Sequence, residues 1–221
     1  MEPTIYKPSI YKGAGIYKTG AEGGGGGGGG EHGTVEIKGQ VYNYTQIGSL
    51  LWLCENLNLQ DENIILNPIN WSQDLPLCCY YNNGDQEPYE NYGLLYNWFA
   101  AKYIQDNIDL NGFRVPTNDD FQTLLNYFGG TTNSGLCLKS TTNWSGGGNG
   151  IDLLDFNFKG GGYRDNIGNY FMLNESGNMW STTEQDVSNA TYVYCIYNSN
   201  AAIPNNYLKR TGFSIRLCKN A

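Results

Sequence analysis

The sequence predicts an α+β domain carried on an extended N-terminal arm. Two segments, Tyr92–Tyr103 and Thr117–Phe128, place apolar residues at helical spacing. After Trp144, short strand-like pieces alternate with clusters of Gly and Asn, a pattern typical of antiparallel strands joined by loops. Two helices followed by a loop-rich C-terminal half with short strands favour the α+β class.

The arm is predicted from a tripeptide that occurs three times near the N-terminus. Its copies are Ile5, Tyr6, Lys7, then Ile10, Tyr11, Lys12, then Ile16, Tyr17, Lys18. A unit this short cannot build its own core, and the Pro and Gly residues between the copies keep the chain extended. We expect residues 1–22 to be an anchor that gains order on another protein surface, for example along a sheet edge. A plain solvated tail is the alternative.

A glycine tract separates this arm from the rest of the chain. Gly23–Gly30 are consecutive, and Gly loses more entropy on ordering than any other residue. We therefore interpret residues 23–33 as a flexible linker and residues 34–221 as the folded domain. Packing of the tract as polyglycine helices in an oligomer is the alternative.

The folded domain begins with a predicted hairpin, Thr34–Lys38 and Gln40–Thr45 around Gly39. The helix over 117–128 has the clearest signals, because Thr117 is a good N-cap and acidic residues fill the first turn. Gly129 and Gly130 follow its last apolar residue and predict its end. The later strand-like pieces are Phe156–Phe158, Tyr170–Met172, Met179–Ser181, Tyr192–Tyr197 and Phe213–Leu217.

Composition excludes several classes of partner. The net charge is −8 and no cluster of Lys or Arg follows the chain, so we expect no nucleic-acid partner. No apolar run reaches the length of about 18 residues that would predict a membrane span. Met1–Gly20 contains no apolar export signal, from which we expect assembly in a host cytoplasm.

The sequence predicts no metal site and no cofactor. His32 is the only histidine, and the six cysteines have no zinc-like spacing. We expect most of the cysteines to be buried free thiols. The alternative is that one or two disulfides form, and Cys195 and Cys218 are then the expected pair.

Seven motifs in order resemble a known family. They are Leu51–Leu57 (LWLCENL), Tyr92–Trp98 (YGLLYNW), Asn111–Thr117 (NGFRVPT), Leu138–Ser140 (LKS), Gly161–Arg164 (GGYR), Met179–Thr182 (MWST) and Gly212–Arg216 (GFSIR). This order resembles the Fibrobacter succinogenes major paralogous (FISUMP) domain over roughly residues 34 to 220. The sequence departs from the family pattern at Cys54, Phe113 and Leu217, which are core-like exchanges.

The resemblance implies a C-type-lectin-like fold related to the formylglycine-generating enzymes. Family members mostly sit on bacterial or phage surface proteins and have no settled activity. We interpret Trp52, Trp98, Trp144 and Trp180 as core residues. Arg164 and Arg216, if buried, need partners, for which Glu55 and Asp120 are candidates.

We expect no catalytic residues. Gln86-Glu87-Pro88 has the wrong order and position for a lectin calcium site. A formylglycine-generating-type oxidase would need an activated cysteine pair, and the residues flanking Cys195 indicate packing. A binding role remains, with ligand contacts expected on the C-terminal loops. The candidate residues are Trp144, Arg164, Asn169, Tyr170, Asn198, Asn205 and Tyr207.

These observations favour a bacteriophage virion surface protein, either a head fibre or decoration protein or a tail fibre. Residues 1–22 would bind a capsid or tail protein, and the domain would bind a cell-surface or mucus glycan. Display on a symmetric particle favours a homo-oligomer, with a trimer expected. A bacterial surface adhesin is the main alternative, and the oxidase is the lesser one.

Overall fold

A computed structural model describes residues 30–83 and 90–221. Its strands are β1 (His32–Ile37), β2 (Gln40–Ile47), β3 (Leu50–Leu53), β4 (Ile65–Leu66), β5 (Leu77–Cys79), β6 (Leu95–Tyr96), β7 (Gly161–Arg164), β8 (Tyr170–Leu173), β9 (Ser176–Glu184), β10 (Asn189–Ile196), β11 (Ala202–Leu208) and β12 (Cys218–Asn220). Its helices are α1 (Trp98–Asn107), α2 (Asn118–Tyr127) and α3 (Thr131–Leu138), and 3₁₀ turns occupy Tyr81–Asn83, Glu90–Tyr92 and Ser145–Gly147. The predicted α+β class is confirmed. The Ile-Tyr-Lys repeats, Gly23–Gly29 and Gln86-Glu87-Pro88 lie outside the described residues.

The strands form four small sheets. Their orders are β1-β2-β3-β12, β11-β10-β9, β4-β5-β6 and the β7-β8 hairpin. The predicted first hairpin is confirmed, because β1 and β2 pair antiparallel with Ile37 opposite Gln40. Lys38 and Gly39 both have positive φ, 49° and 80°, as a two-residue turn of this twist requires.

The second predicted helix forms where local signals place it. The Thr117 side chain accepts from the Asp120 N–H, and the Asp120 carboxylate accepts from the Thr117 N–H, which completes a capping box. Phe121, Leu124 and Leu125 face the core, and Gly129 and Gly130 follow the helix with positive φ.

One predicted helix begins later than expected, and one helix was missed. Helix α1 begins at Trp98 rather than Tyr92, because β6 pairs with β5 and the Asn97 side chain then caps the helix by accepting from the Ala100 N–H. Helix α3 was not predicted. Its Gly135 packs against the chain before β11, where an added Cβ would lie 2.3 Å from the Ala201 carbonyl oxygen.

Residues 212–218 run through the centre of the domain. The prediction of a strand over Phe213–Leu217 was wrong, because this segment makes single bridges to several sheets instead of one ladder. Bridges join Tyr96 to Phe213, Arg164 to Gly212 and Met179 to Ser214, while Leu217 accepts from the Leu53 N–H. The segment thereby ties β3, β6, β7 and β9 together.

The core contains the residues that the motifs predicted. Trp52, Trp98, Trp144 and Trp180 are buried. All six cysteines are free and buried, so the expectation of buried free thiols is confirmed and the open Cys195–Cys218 disulfide does not form. None of the described helices is long and apolar enough to cross a membrane.

Candidate ligand-binding surface

Five aromatic rings gather on one side of the domain, around the buried ring of Phe213. They belong to Tyr163, Phe171, Tyr192, Tyr194 and Tyr207, and we call this set the aromatic platform. Phe171 and Tyr207 are each 41% exposed, whereas Phe213 is 3% exposed. Tyr163 and Tyr194 are half-buried and pack against the core. The platform therefore presents ring faces to solvent while its base is fixed in the interior.

Ring stacking holds the platform in one arrangement. Tyr163 and Phe171 stack with centroids 5.4 Å apart, and Tyr192 and Tyr194 stack at 5.6 Å. Phe213 lies 4.6 Å from Tyr192, 5.9 Å from Tyr207 and 6.2 Å from Tyr163. Offset and edge contacts at these distances are favourable, so the exposed rings are ordered before a ligand arrives.

Strand register explains why these residues share a surface. Tyr163 and Phe171 are cross-strand partners in the β7–β8 hairpin. Tyr192 on β10 lies opposite Asn205 on β11, and side chains two residues apart on a strand share a face. Tyr194 and Tyr207 therefore lie on the same face as Tyr192 and Asn205.

The pKa values of two platform hydroxyls, those of Tyr163 and Tyr192, are raised. Burial raises the pKa of Tyr192, and the hydroxyls of Tyr194 and Tyr207 raise it further, whereas a hydrogen bond with the Asn205 side chain acts in the opposite direction. Burial also raises the pKa of Tyr163, and Tyr207 and Asp165 add to the effect. The Tyr163 and Tyr192 hydroxyls therefore stay protonated at neutral pH and can donate as well as accept, and the exposed amide of Asn205 lies opposite Tyr192.

Two of the predicted ligand residues lie on this surface. Asn205 is exposed and Tyr207 belongs to the platform. The prediction that they occupy a loop was wrong, since both lie on β11, which pairs with β10 along its length. Strand placement holds them in a fixed register, which a loop would not do.

Trp144 was predicted as a ligand contact, but it is buried in the core. It is 5% exposed, and its indole Nε1–H donates to the Phe158 carbonyl at 3.1 Å and the Ser140 hydroxyl at 3.2 Å. Its ring also packs against Phe158. Trp144 therefore stabilises the fold and presents no face to a ligand.

Arg164 was also predicted as a ligand contact and is likewise buried. It is 3% exposed, and its guanidinium lies between the rings of Trp71 and Tyr170, at 4.4 and 5.0 Å from their centroids. It donates to the Gly168 carbonyl and to Asn83 Oδ1, both at 3.1 Å. Neither Glu55 nor Asp120 is among these partners; Glu55 accepts from Asn43 and Asp120 from Arg114.

The other three predicted residues lie apart from the platform. Tyr170 is half-buried on the opposite face of the β7–β8 hairpin, and its hydroxyl donates to Asn83. Asn169 is exposed at the tip of that hairpin, with its amide donating to Asp165. Asn198 is exposed in the turn after β10. These positions do not form one site.

Sequence reasoning missed four of the five platform residues, namely Tyr163, Phe171, Tyr192 and Tyr194. The alternation of Tyr192 and Tyr194 along β10 was an available signal, because period-two aromatic residues indicate one face of a strand. The pairing of Tyr163 with Phe171 depends on the hairpin register, which the sequence did not indicate.

Two grooves flank the β1–β2 hairpin, and their linings are more polar than the platform. One has a volume of ≈550 Å³ and the other ≈620 Å³. Their described linings are mainly charged and amide side chains, including Asp61 and Asp109 in the first and Glu55, Asp152 and Asp155 in the second. No group of three or more His, Cys, Asp and Glu side chains within 30–83 and 90–221 is placed to hold a metal ion. The second groove contains one aromatic side chain, Tyr44, whereas the platform combines five.

The fold and this surface define a mixed α+β domain that presents a fixed aromatic face from its strands. The family model described as Fibrobacter succinogenes major domain matches residues 45–219. The chain therefore belongs to the Fibrobacter succinogenes major domain family. No curated protein and no solved structure matches it.

Proposed function

We propose that this chain is a bacteriophage virion surface protein whose C-type-lectin-like domain binds glycans through the aromatic platform. The observation that carries the glycan proposal is that the stacked pair Tyr163 and Phe171 and the exposed ring of Tyr207 lie on one surface around Phe213. Aromatic faces pack on the apolar C–H faces of sugar rings, and hydroxyl and amide groups bind sugar hydroxyls. Asn205 supplies such an amide at the edge of the stack.

We propose a binding protein and not an enzyme. The oxidase alternative needs a reactive thiolate, which requires a low thiol pKa. Burial instead raises the pKa of the Cys195 thiol to about 12 and also raises that of Cys218. Both thiols are inaccessible to a substrate, since each residue is 0% exposed.

The virion part of the proposal depends on residues 1–22. The three Ile-Tyr-Lys copies alternate apolar, aromatic and cationic side chains, which suits attachment to a capsid or tail protein. The glycine tract would hold the domain away from the particle. Weak glycan binding by one domain would be strengthened when many copies are displayed, and a homo-oligomer would add to this.

The glycan proposal is tested by substituting Tyr207→Ala and measuring binding to an immobilised polysaccharide panel. We expect affinity for the bound polysaccharide to fall by about tenfold or more, the loss typical of removing a central contact ring. Tyr207 is 41% exposed, so its loss removes a ring that solvent reaches, together with its contact with Phe213.

Tyr127→Ala is the matched control. Tyr127 has the same 41% exposure but lies on α2, where it contacts Phe128 and Gly48. Its removal should leave glycan binding unchanged. Equal binding by the wild type and the Tyr207→Ala variant would refute a role for the platform.

The anchor is tested by deleting residues 1–22 and adding the protein to particles that lack it. We expect the deletion variant to lose particle attachment, because the three Ile-Tyr-Lys copies are gone, while its urea unfolding midpoint is unchanged. Attachment is measured by co-sedimentation with the particles. A deletion variant that co-sediments as well as the full chain would exclude the arm as the anchor.

A further inference from the structure

We infer that the aromatic platform accepts neutral saccharide chains and excludes acidic ones. This inference rests on the proposed glycan function and adds the chemical class of the ligand. Three features support it: the described cations have their partners elsewhere, an acidic group lies near Tyr163, and the platform has two well-exposed rings, Phe171 and Tyr207.

The described cations have their partners away from the platform rings. Lys139, Lys209 and Lys219 lie over Trp144, Trp98 and Phe113. Arg114, Arg210, Lys38 and Lys102 pair with Asp120, Asp74, Asp61 and Asp106. Arg164 and Arg216 are buried over other rings, and Lys159 lies near Arg216, Asp152 and Glu55. A carboxylate or sulfate on a sugar would therefore find no cationic partner on the platform.

Asp165 places a negative charge near the platform. Asp165 directly follows β7 and is close enough to Tyr163 to raise the pKa of its hydroxyl. The Asp165 carboxylate is held in place by the backbone N–H groups of Ile167 and Asn169. Desolvating a like charge beside it without a counter-ion is unfavourable, and the net charge of −8 adds a repulsive field.

The platform has more than one exposed ring, which suits a chain of sugars better than a single sugar. Phe171 stacks on Tyr163, which contacts Phe213, which in turn contacts Tyr207. The successive centroid distances are 5.4, 6.2 and 5.9 Å, and Phe213 is the buried member of this series. Two well-exposed rings, Phe171 and Tyr207, thus lie at separate points along one open surface.

The test compares neutral polysaccharides (mannan, xyloglucan and β-glucan) with acidic ones (hyaluronan and polygalacturonate). The full chain should bind a neutral polymer with an affinity that changes less than about twofold between about 0.05 and 0.5 M salt. It should not bind the acidic polymers. Affinity should also rise from the monosaccharide to oligosaccharides of the bound polymer.

A pair of neighbouring substitutions provides the matched control. Asn205 and Asn206 are both exposed on β11 but face opposite sides of the sheet. We expect Asn205→Lys to gain binding to hyaluronan by about tenfold at low salt, because it adds a cation to the platform. Asn206→Lys should not gain it.

The outcomes separate this inference from the proposed function. Preferential, salt-sensitive binding of the wild type to the acidic polymers, lost in Tyr207→Ala, would overturn the neutral class while leaving a glycan-binding platform. Equal gains by both lysine variants would also overturn it. Failure of the wild type to bind any polymer of the panel would contradict both proposals.

Discussion

Arg216 shows how one residue joins distant parts of this chain. Its guanidinium is fully buried and stacks on Phe156 at 4.7 Å. Its hydrogen bonds go to neutral acceptors, with Nη2 donating to Asn56 Oδ1 at 2.7 Å and Nη1 donating to the Leu53 and Phe156 carbonyls. The expected carboxylate partners, Glu55 and Asp120, do not bond to it. Burial lowers the pKa of Arg216 to about 10, so it stays charged at neutral pH.

Substitution of Arg216→Met should destabilise the fold by about 3 kcal/mol, because the truncated side chain leaves several buried acceptors without donors. The measurement is urea unfolding followed by tryptophan fluorescence. Arg210→Met is the control, since Arg210 is exposed and its pair with Asp74 is solvated, and it should change stability far less. Similar losses of unfolding free energy in the two variants would contradict a stabilising role for the buried hydrogen bonds of Arg216.

At the scale of elements, the sequence predicted what local signals determine. Helix α2 was predicted because its cap, its first-turn acids, its apolar spacing and the glycines after it all lie within one short segment. The β1–β2 hairpin was predicted because its turn needs a residue such as Gly39 with positive φ. Both elements can be predicted without knowledge of the rest of the fold.

The elements that were not predicted correctly depend on contacts between residues far apart in the sequence. Helix α3 has no clear apolar stripe and is positioned by close packing of Gly135 on the chain before β11. Phe213–Leu217 has strand-like composition, yet it bridges several sheets rather than joining one. The platform has the same origin, since its rings come from β7, β8, β10 and β11 and meet only through register and packing on Phe213.

Considered as a whole, the molecule combines a domain of known family with a proposed display function. Seven ordered motifs were enough to predict the family, and the match over residues 45–219 confirms it. Family membership does not define a ligand, because function resides in particular sites rather than in a fold. We propose that the platform is the part of this domain that binds a ligand and that residues 1–22 attach it to a particle.

The most direct test of the platform is aromatic-ring NMR of the full chain during titration with an oligosaccharide of a bound neutral polymer. We expect the ring resonances of Tyr163, Phe171 and Tyr207 to shift in a saturable manner, because sugar rings would pack on their faces. The ring of Tyr127, equally exposed to solvent as Tyr207, should not shift. Saturable shifts confined to Tyr44 and the groove beside it, with the platform rings unmoved, would contradict the proposed site.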